Sequence, residues 1–178
     1  MKGLIFTVFL EMVEEIYGYE IADKIVSINN LASNGIYTSV GTYDHKELFI
    51  MIDSLSKIIN KDKDEILKSY GEYAFSKFAI KYSHFLKGVE DLFSFLESID
   101  NYIHVEVLKL YPDAELPTFE TVRVSNNKLI LKYISKRKMS SFAEGLLNGS
   151  INHFSSDTTF TKELINNGEE ALFTLTMR

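Results

Sequence analysis

The hydrophobic period of this chain first changes across its only two prolines, Pro112 and Pro117. Upstream of them, apolar residues recur at helical spacing; downstream, they alternate. Proline cannot continue the helix that precedes it and supplies no backbone donor to a ladder. A helix should therefore end before Pro112 and a sheet should begin after Pro117. This order predicts an α+β fold, with an N-terminal helical part followed by a small antiparallel sheet that one further helix interrupts.

In residues 2–17, Ile5, Phe9, Met12, Val13 and Ile16 line one side and Thr7, Glu11, Glu14 and Glu15 another, predicting a first helix that Gly18 ends. A short helix over 19–28 and a loop over 29–42, rich in Asn, Ser and Gly, should come next. Asp44 is placed to cap a helix over 45–59, and Asp62 or Asp64 one over 65–82. Two more helices are expected at 89–97 and 99–111. Beyond Pro117, alternation predicts strands over 119–125 and 128–135, joined at Asn126-Asn127, whose tolerance of positive φ suits a tight turn. A helix over 140–154 comes after them, then strands over 158–165 and 171–177 about Asn166-Asn167-Gly168.

A chain of 178 residues, 46% hydrophobic, fits a single domain over 1–178 that can enclose a ligand-sized cavity. It has no cysteine, which excludes disulfides and thiolate metal sites and makes a reducing, cytoplasmic setting the expectation. The apolar run from Leu4 to Leu10 meets Glu11, Glu14 and Glu15 at once, unlike a signal peptide or a membrane span. A net charge of -6 argues against nucleic acid, and the local patch of Lys128, Lys132, Lys136, Arg137 and Lys138 lacks interleaved stacking aromatics.

No Gly-rich phosphate loop, G-x-S-x-G elbow or Cys nucleophile is present, so no enzyme is expected. The four histidines, His45, His84, His104 and His153, are too scattered for a zinc-protease pair. Two features remain. Tyr133, Ser135 and Arg137 alternate along a strand and would share a face carrying a phenol, a hydroxyl and a guanidinium. That face is either a solvated strand surface or a clamp for carboxylates. His104 lies in the last helix before Pro112, where it is either a satisfied structural histidine or a lone axial ligand. One histidine suffices only for a metal that brings its other ligands with it, as haem does, and the propionates of haem would need such a clamp.

These residues carry a resemblance. The Met1-Lys2-Gly3 opening, the His104 helix, Leu110-Tyr111-Pro112, Leu116-Pro117 and the Tyr-x-Ser-x-Arg motif at Tyr133, Ser135 and Arg137 resemble the haem-nitric oxide/oxygen binding (H-NOX) family, bacterial relatives of the haem domain of soluble guanylate cyclase. The resemblance covers nearly the whole chain. It implies haem b (iron protoporphyrin IX) buried between the helical part and the sheet, His104 as the proximal iron ligand, and Tyr133, Ser135 and Arg137 on the propionates. It also implies that Pro117 packs against the porphyrin and holds it out of plane, while Ile5 packs on the distal side.

Oxygen-binding members carry a distal tyrosine at the position that aligns with Phe142. Phenylalanine has no hydroxyl, and bound dioxygen depends on a donor far more than nitric oxide does. Phe9, Ala74, Phe78 and Leu146 complete an apolar distal set, with Tyr73 the one neighbouring hydroxyl that could enter it. The resemblance thus implies a gas sensor that binds nitric oxide, and carbon monoxide, and signals when the bond from His104 to iron breaks. The expected partner is a sensor histidine kinase, with a cyclic-di-GMP enzyme or a chemotaxis receptor as others. The alternatives are a dioxygen-binding haem protein and a haem-free module for apolar ligands or protein contacts.

Overall fold

The computed structural model of the protein describes all residues 1–178. Four helices form the first half: α1 (Gly3–Tyr17), α2 (Tyr19–Ser27), α3 (His45–Ile59) and α4 (Lys63–Lys81). Their starts obey capping chemistry. The Asp44 carboxylate accepts from the Lys46 N–H at 3.0 Å, and that of Asp62 from the Asp64 N–H at 2.8 Å, each satisfying donors that a first helical turn leaves free. Phe6, Phe9, Met12, Leu48, Met51, Leu55 and Tyr70 from these helices are fully buried together.

The two helices expected at 89–97 and 99–111 are one continuous helical run. It comprises α5 (Leu92–Ser98), a π-helical turn over Ile99–Ile103 and α6 (His104–Leu110). Such a turn inserts a residue into the helical hydrogen-bond register and rotates the residues beyond it, a device found mostly at functional sites. Here it lies immediately before His104.

Strands β1 (Thr118–Ser125), β2 (Lys128–Ile134), β3 (Thr158–Ile165) and β4 (Glu170–Met177) pair antiparallel in the order β1-β2-β4-β3, and α7 (Ser140–His153) connects β2 to β3. Asn166, Asn167 and Gly168 all take positive φ, as a turn of that composition favours. Asn126 and Asn127 do not. The first hairpin instead shifts register between Arg123 and Ser125, so a bulge absorbs the bend. Leu129, Leu131 and Tyr133 of β2 and Ala171, Phe173 and Leu175 of β4 form the buried face of the sheet, packed in one cluster with α5 and α7.

Helices α4 and α7 cross where Gly71 meets Gly145. A Cβ on Gly145 would stand 2.0 Å from the Lys68 carbonyl oxygen, and one on Gly71 would stand 2.2 Å from that of Phe142. Only glycine lets the two backbones approach this closely. Gly145→Ala should therefore cost about 1–3 kcal/mol and lower Tm by roughly 2–4 °C for each kcal/mol lost. Calorimetry on the variant checks this, and an unchanged Tm would show that the crossing relaxes freely. No helix is long and apolar enough to cross a membrane.

Candidate functional site

A cavity of about 310 Å³ lies between the two clusters, and 26 of the 33 residues lining it are hydrophobic. Ile5 comes from α1, Phe78 from α4, Phe142 and Leu146 from α7, Leu131 from β2, and Pro117 from the segment leading into β1. An apolar lining of this size suits a hydrophobic guest larger than solvent. The few polar groups on it are grouped.

His104 forms one of these groups. Its Nδ1 stands 2.7 Å from Asp100 Oδ1, one turn back along the chain, and that oxygen has no other donor. The second carboxylate oxygen, Oδ2, accepts from the Phe119 N–H at 3.0 Å. Asp100 is thereby pinned to β1 and holds the proton of the imidazole on Nδ1, which leaves Nε2 as the free ring nitrogen. Burial pulls the His104 imidazole below the usual histidine range against the opposing pull of Asp100, so the ring is a neutral donor at pH 7. His104 and Pro117 also border a smaller outer cleft of about 270 Å³ on the solvent side. They form a wall between cavity and exterior.

Tyr133, Ser135 and Arg137 all reach the cavity, but not by strand alternation. Strand β2 ends at Ile134. Beyond it the chain turns. The Ser135 N–H donates to the Glu169 carbonyl at 2.8 Å, the Lys138 N–H donates back to the Ser135 carbonyl at 3.1 Å, and Lys138 takes φ 54°. The Ser135 hydroxyl accepts from the Arg137 N–H at 3.2 Å, and the buried Tyr133 phenol accepts from the Met139 N–H at 3.2 Å. Burial pushes the Tyr133 phenol up, so it stays protonated and able to donate. Arg137 is ordered from outside the clamp: its Nη1 donates to the Glu115 carbonyl at 2.7 Å and its Nη2 to the Glu115 carboxylate at 2.5 Å.

The other expected residues divide between two layers. Ile5, Phe78, Phe142, Leu146 and Pro117 line the cavity; Phe9 and Ala74 do not. Both are fully buried one layer back, where Phe9 packs edge-on against Tyr70 (5.3 Å between ring centres) and Tyr70 packs on Phe142 (4.7 Å). From α1 and α4 the cavity wall is made instead by Leu4, Ile5, Phe75, Phe78 and Ala79. Tyr73 is also off the wall: its ring lies 4.8 Å below the Lys77 ammonium, on the side of α4 that meets Glu11 and Glu15 of α1.

Three phenols escaped the sequence reading. Tyr70, one turn before Ala74, donates its hydroxyl proton to the Ile5 carbonyl at 2.5 Å, and its hydroxyl is thus committed behind Phe142. Its i−4 spacing from Ala74 was the available signal. Tyr82 and Tyr111 line the cavity with hydroxyls 3.5 Å apart. Their partnership spans 29 residues, and nothing local announced it.

The donor set is one imidazole nitrogen, an apolar lining and a hydroxyl-guanidinium end, and no cluster of three or more His, Cys, Asp or Glu side chains exists that could hold a bare metal ion. This fits a flat apolar metal complex with acidic substituents better than a naked cation.

A family model described as haem-NO-binding matches residues 2–162. No curated protein matches the chain. Among solved structures, the unliganded Fe(II) H-NOX protein of K. algicida is 41% identical, with all of this chain and 97% of that one covered at a TM-score of 0.94. The S. oneidensis H-NOX protein in the Fe(II)NO state is 26% identical over 100% and 99% of the two chains, at a TM-score of 0.92. The H-NOX protein of S. woodyi, bound to IWP-051 in the Fe(II)CO state, is 38% identical over 100% and 95%, at a TM-score of 0.86. With a family match over nearly its full length and these structural likenesses, the chain belongs to the H-NOX family of haem-binding gas-sensor domains, which are sensors and not enzymes.

Proposed function

We propose that this protein is a cytoplasmic nitric oxide sensor that holds haem b on His104 Nε2, with Tyr133, Ser135 and Arg137 on the propionates. The haem iron, when bound, supplies the coordination position for a diatomic gas. The chain supplies the selection. Ile5, Phe78, Phe142 and Leu146 offer no donor on the cavity wall, and the Tyr70 proton behind them is spent on Ile5. This apolar wall is the single observation that carries the choice of nitric oxide, with carbon monoxide, over dioxygen.

His104 then acts as the switch. While its Nε2 is held from the cavity side, α6 is held with it; once it is released, α6 can shift, while the segment after it stays tied to the helical half through Asp113. A ligand moves this equilibrium only through its different affinity for the two states, and the held or released histidine supplies that difference. The output would pass to a partner protein, a sensor histidine kinase being the first to test.

Visible spectra of the reduced protein with nitric oxide, carbon monoxide and air test the reading directly. Five-coordinate nitrosyl bands and no stable air complex are expected. A six-coordinate nitrosyl spectrum under all conditions would rule out release of His104. One observation favours dioxygen binding as the alternative: the paired hydroxyls of Tyr82 and Tyr111 on the cavity wall. A stable spectrum in air that Tyr82→Phe abolishes would establish it.

Asp100→Asn tests how the histidine is presented. The single Asn oxygen cannot serve both the Phe119 N–H and His104 Nδ1, and an amide N–H turned toward Nδ1 would move the ring proton to Nε2. Haem affinity should fall by roughly 10–100-fold, measured by competition with apomyoglobin. An unchanged affinity would mean that Asp100 does not set the tautomer.

A further inference from the structure

The guanidinium of the clamp already has a carboxylate on it. Both terminal nitrogens of Arg137 are engaged by one residue, Nη1 by the Glu115 carbonyl and Nη2 by the Glu115 carboxylate. The Arg137 side chain is 14% exposed and that of Glu115 84%, so the cation sits inside the rim while its partner sits on it. Glu115 belongs to the segment between α6 and β1. Asp113, two residues before it, is tied across to the start of α1 and to the loop before α3, accepting from Lys2 Nζ at 3.0 Å and from the Thr42 hydroxyl at 2.6 Å. The segment is thus anchored, and it presents the Glu115 carboxylate to the same guanidinium that an incoming carboxylate would need.

We propose that Glu115 is a built-in competitor for Arg137 that sets how tightly the clamp retains a carboxylated tetrapyrrole. The proposal rests on the haem reading above. Arg137 holds two good hydrogen bonds in one direction, and a guest carboxylate must displace the Glu115 carboxylate or share the guanidinium charge with it through the N–H groups left free. Displacement is easy because Glu115 is exposed and regains water when it leaves, whereas Arg137 cannot accompany it out. Sharing places two carboxylates on one cation, and their repulsion weakens both. Either way the acidic group lowers the retention that Tyr133, Ser135 and Arg137 would give alone. The carbonyl contact is unaffected by the charge of the side chain, so neutralising Glu115 leaves Arg137 oriented and frees its charge.

The test is release of iron protoporphyrin IX to excess apomyoglobin from the loaded full chain and its Glu115→Gln variant. Release from the variant should be about three- to tenfold slower at low salt, with the ratio shrinking as added salt screens the exposed carboxylate. With iron protoporphyrin IX dimethyl ester, which has no carboxylates, the ratio should be close to one. In an Arg137→Ala background, Glu115→Gln should change nothing. Equal or faster release from Glu115→Gln, or the same ratio with the ester, overturns the competitor role while leaving the haem reading intact. Failure of both proteins to take up iron protoporphyrin IX overturns the haem reading and the competitor role together. Because Glu115 is exposed, the variant should fold as the parent does, and matching melting curves would confirm that release rates compare like with like.

Discussion

Replacing His104 with glycine should accelerate haem release by about 10²-fold or more, equivalent to ~3 kcal/mol or more, and free imidazole should reverse the loss. Three effects coincide at this residue. The axial nitrogen goes. Asp100 Oδ1 loses its one neighbouring donor inside the fold, an additional cost because an unpaired buried carboxylate oxygen is poorly tolerated. A space the size of an imidazole opens beside Phe119, whose ring lies 5.9 Å from that of His104. Imidazole added in solution fills that space, and Asp100 can orient it as it orients the side chain. Stopped-flow transfer to apomyoglobin, with and without imidazole, measures the effect. Unchanged release from His104→Gly would mean that the ligand is another residue, and a loss that imidazole cannot reverse would point to misfolding.

The sequence made the architecture legible because a switch in hydrophobic period at Pro112 and Pro117 separates the N-terminal helices from the first hairpin, and caps such as Asp44 and Asp62 mark local starts. What it could not show were events that leave the period unchanged. The π turn over Ile99–Ile103 adds one residue to a helical register without altering its composition, so it passed for a helix boundary. The chemistry of Tyr133, Ser135 and Arg137 was legible from residue type; their convergence was not, because it depends on the left-handed Lys138 and on β2 stopping at Ile134. The family resemblance put Phe9 and Ala74 in the distal set, but the residues behind a cavity wall are as apolar as those on it, and residue type cannot say which is which. Glu115 and Arg137 meet across 22 residues, and Tyr82 and Tyr111 across 29; contacts of that range are fixed by topology alone.

Phe142→Tyr should make the reduced protein bind dioxygen. Phe142 lines the cavity from α7 and its ring lies against Tyr70, tilted by 36° with centres 4.7 Å apart, so the ring is fixed by packing. A hydroxyl added at its far end needs only a free acceptor. The Tyr70 hydroxyl spends its own proton on the Ile5 carbonyl within a fully buried site, so it has none to give the new hydroxyl, while its lone pairs compete with the bound gas as acceptors. Dioxygen held in the cavity would carry negative charge and accept the new hydrogen bond. Hydrogen bonds to charged groups contribute ~1.5–3 kcal/mol, which corresponds to a gain of roughly 10–150-fold in dioxygen affinity. Nitric oxide, which develops less charge, should change little. Spectral titration with dioxygen and the rate of its dissociation measure the gain. Tyr70→Phe is the control: it frees the Ile5 carbonyl and should lower stability by about 1–3 kcal/mol, without creating dioxygen binding. If Phe142→Tyr leaves dioxygen behaviour as it was, Phe142 does not face the bound gas, and the apolar wall cannot be what excludes dioxygen.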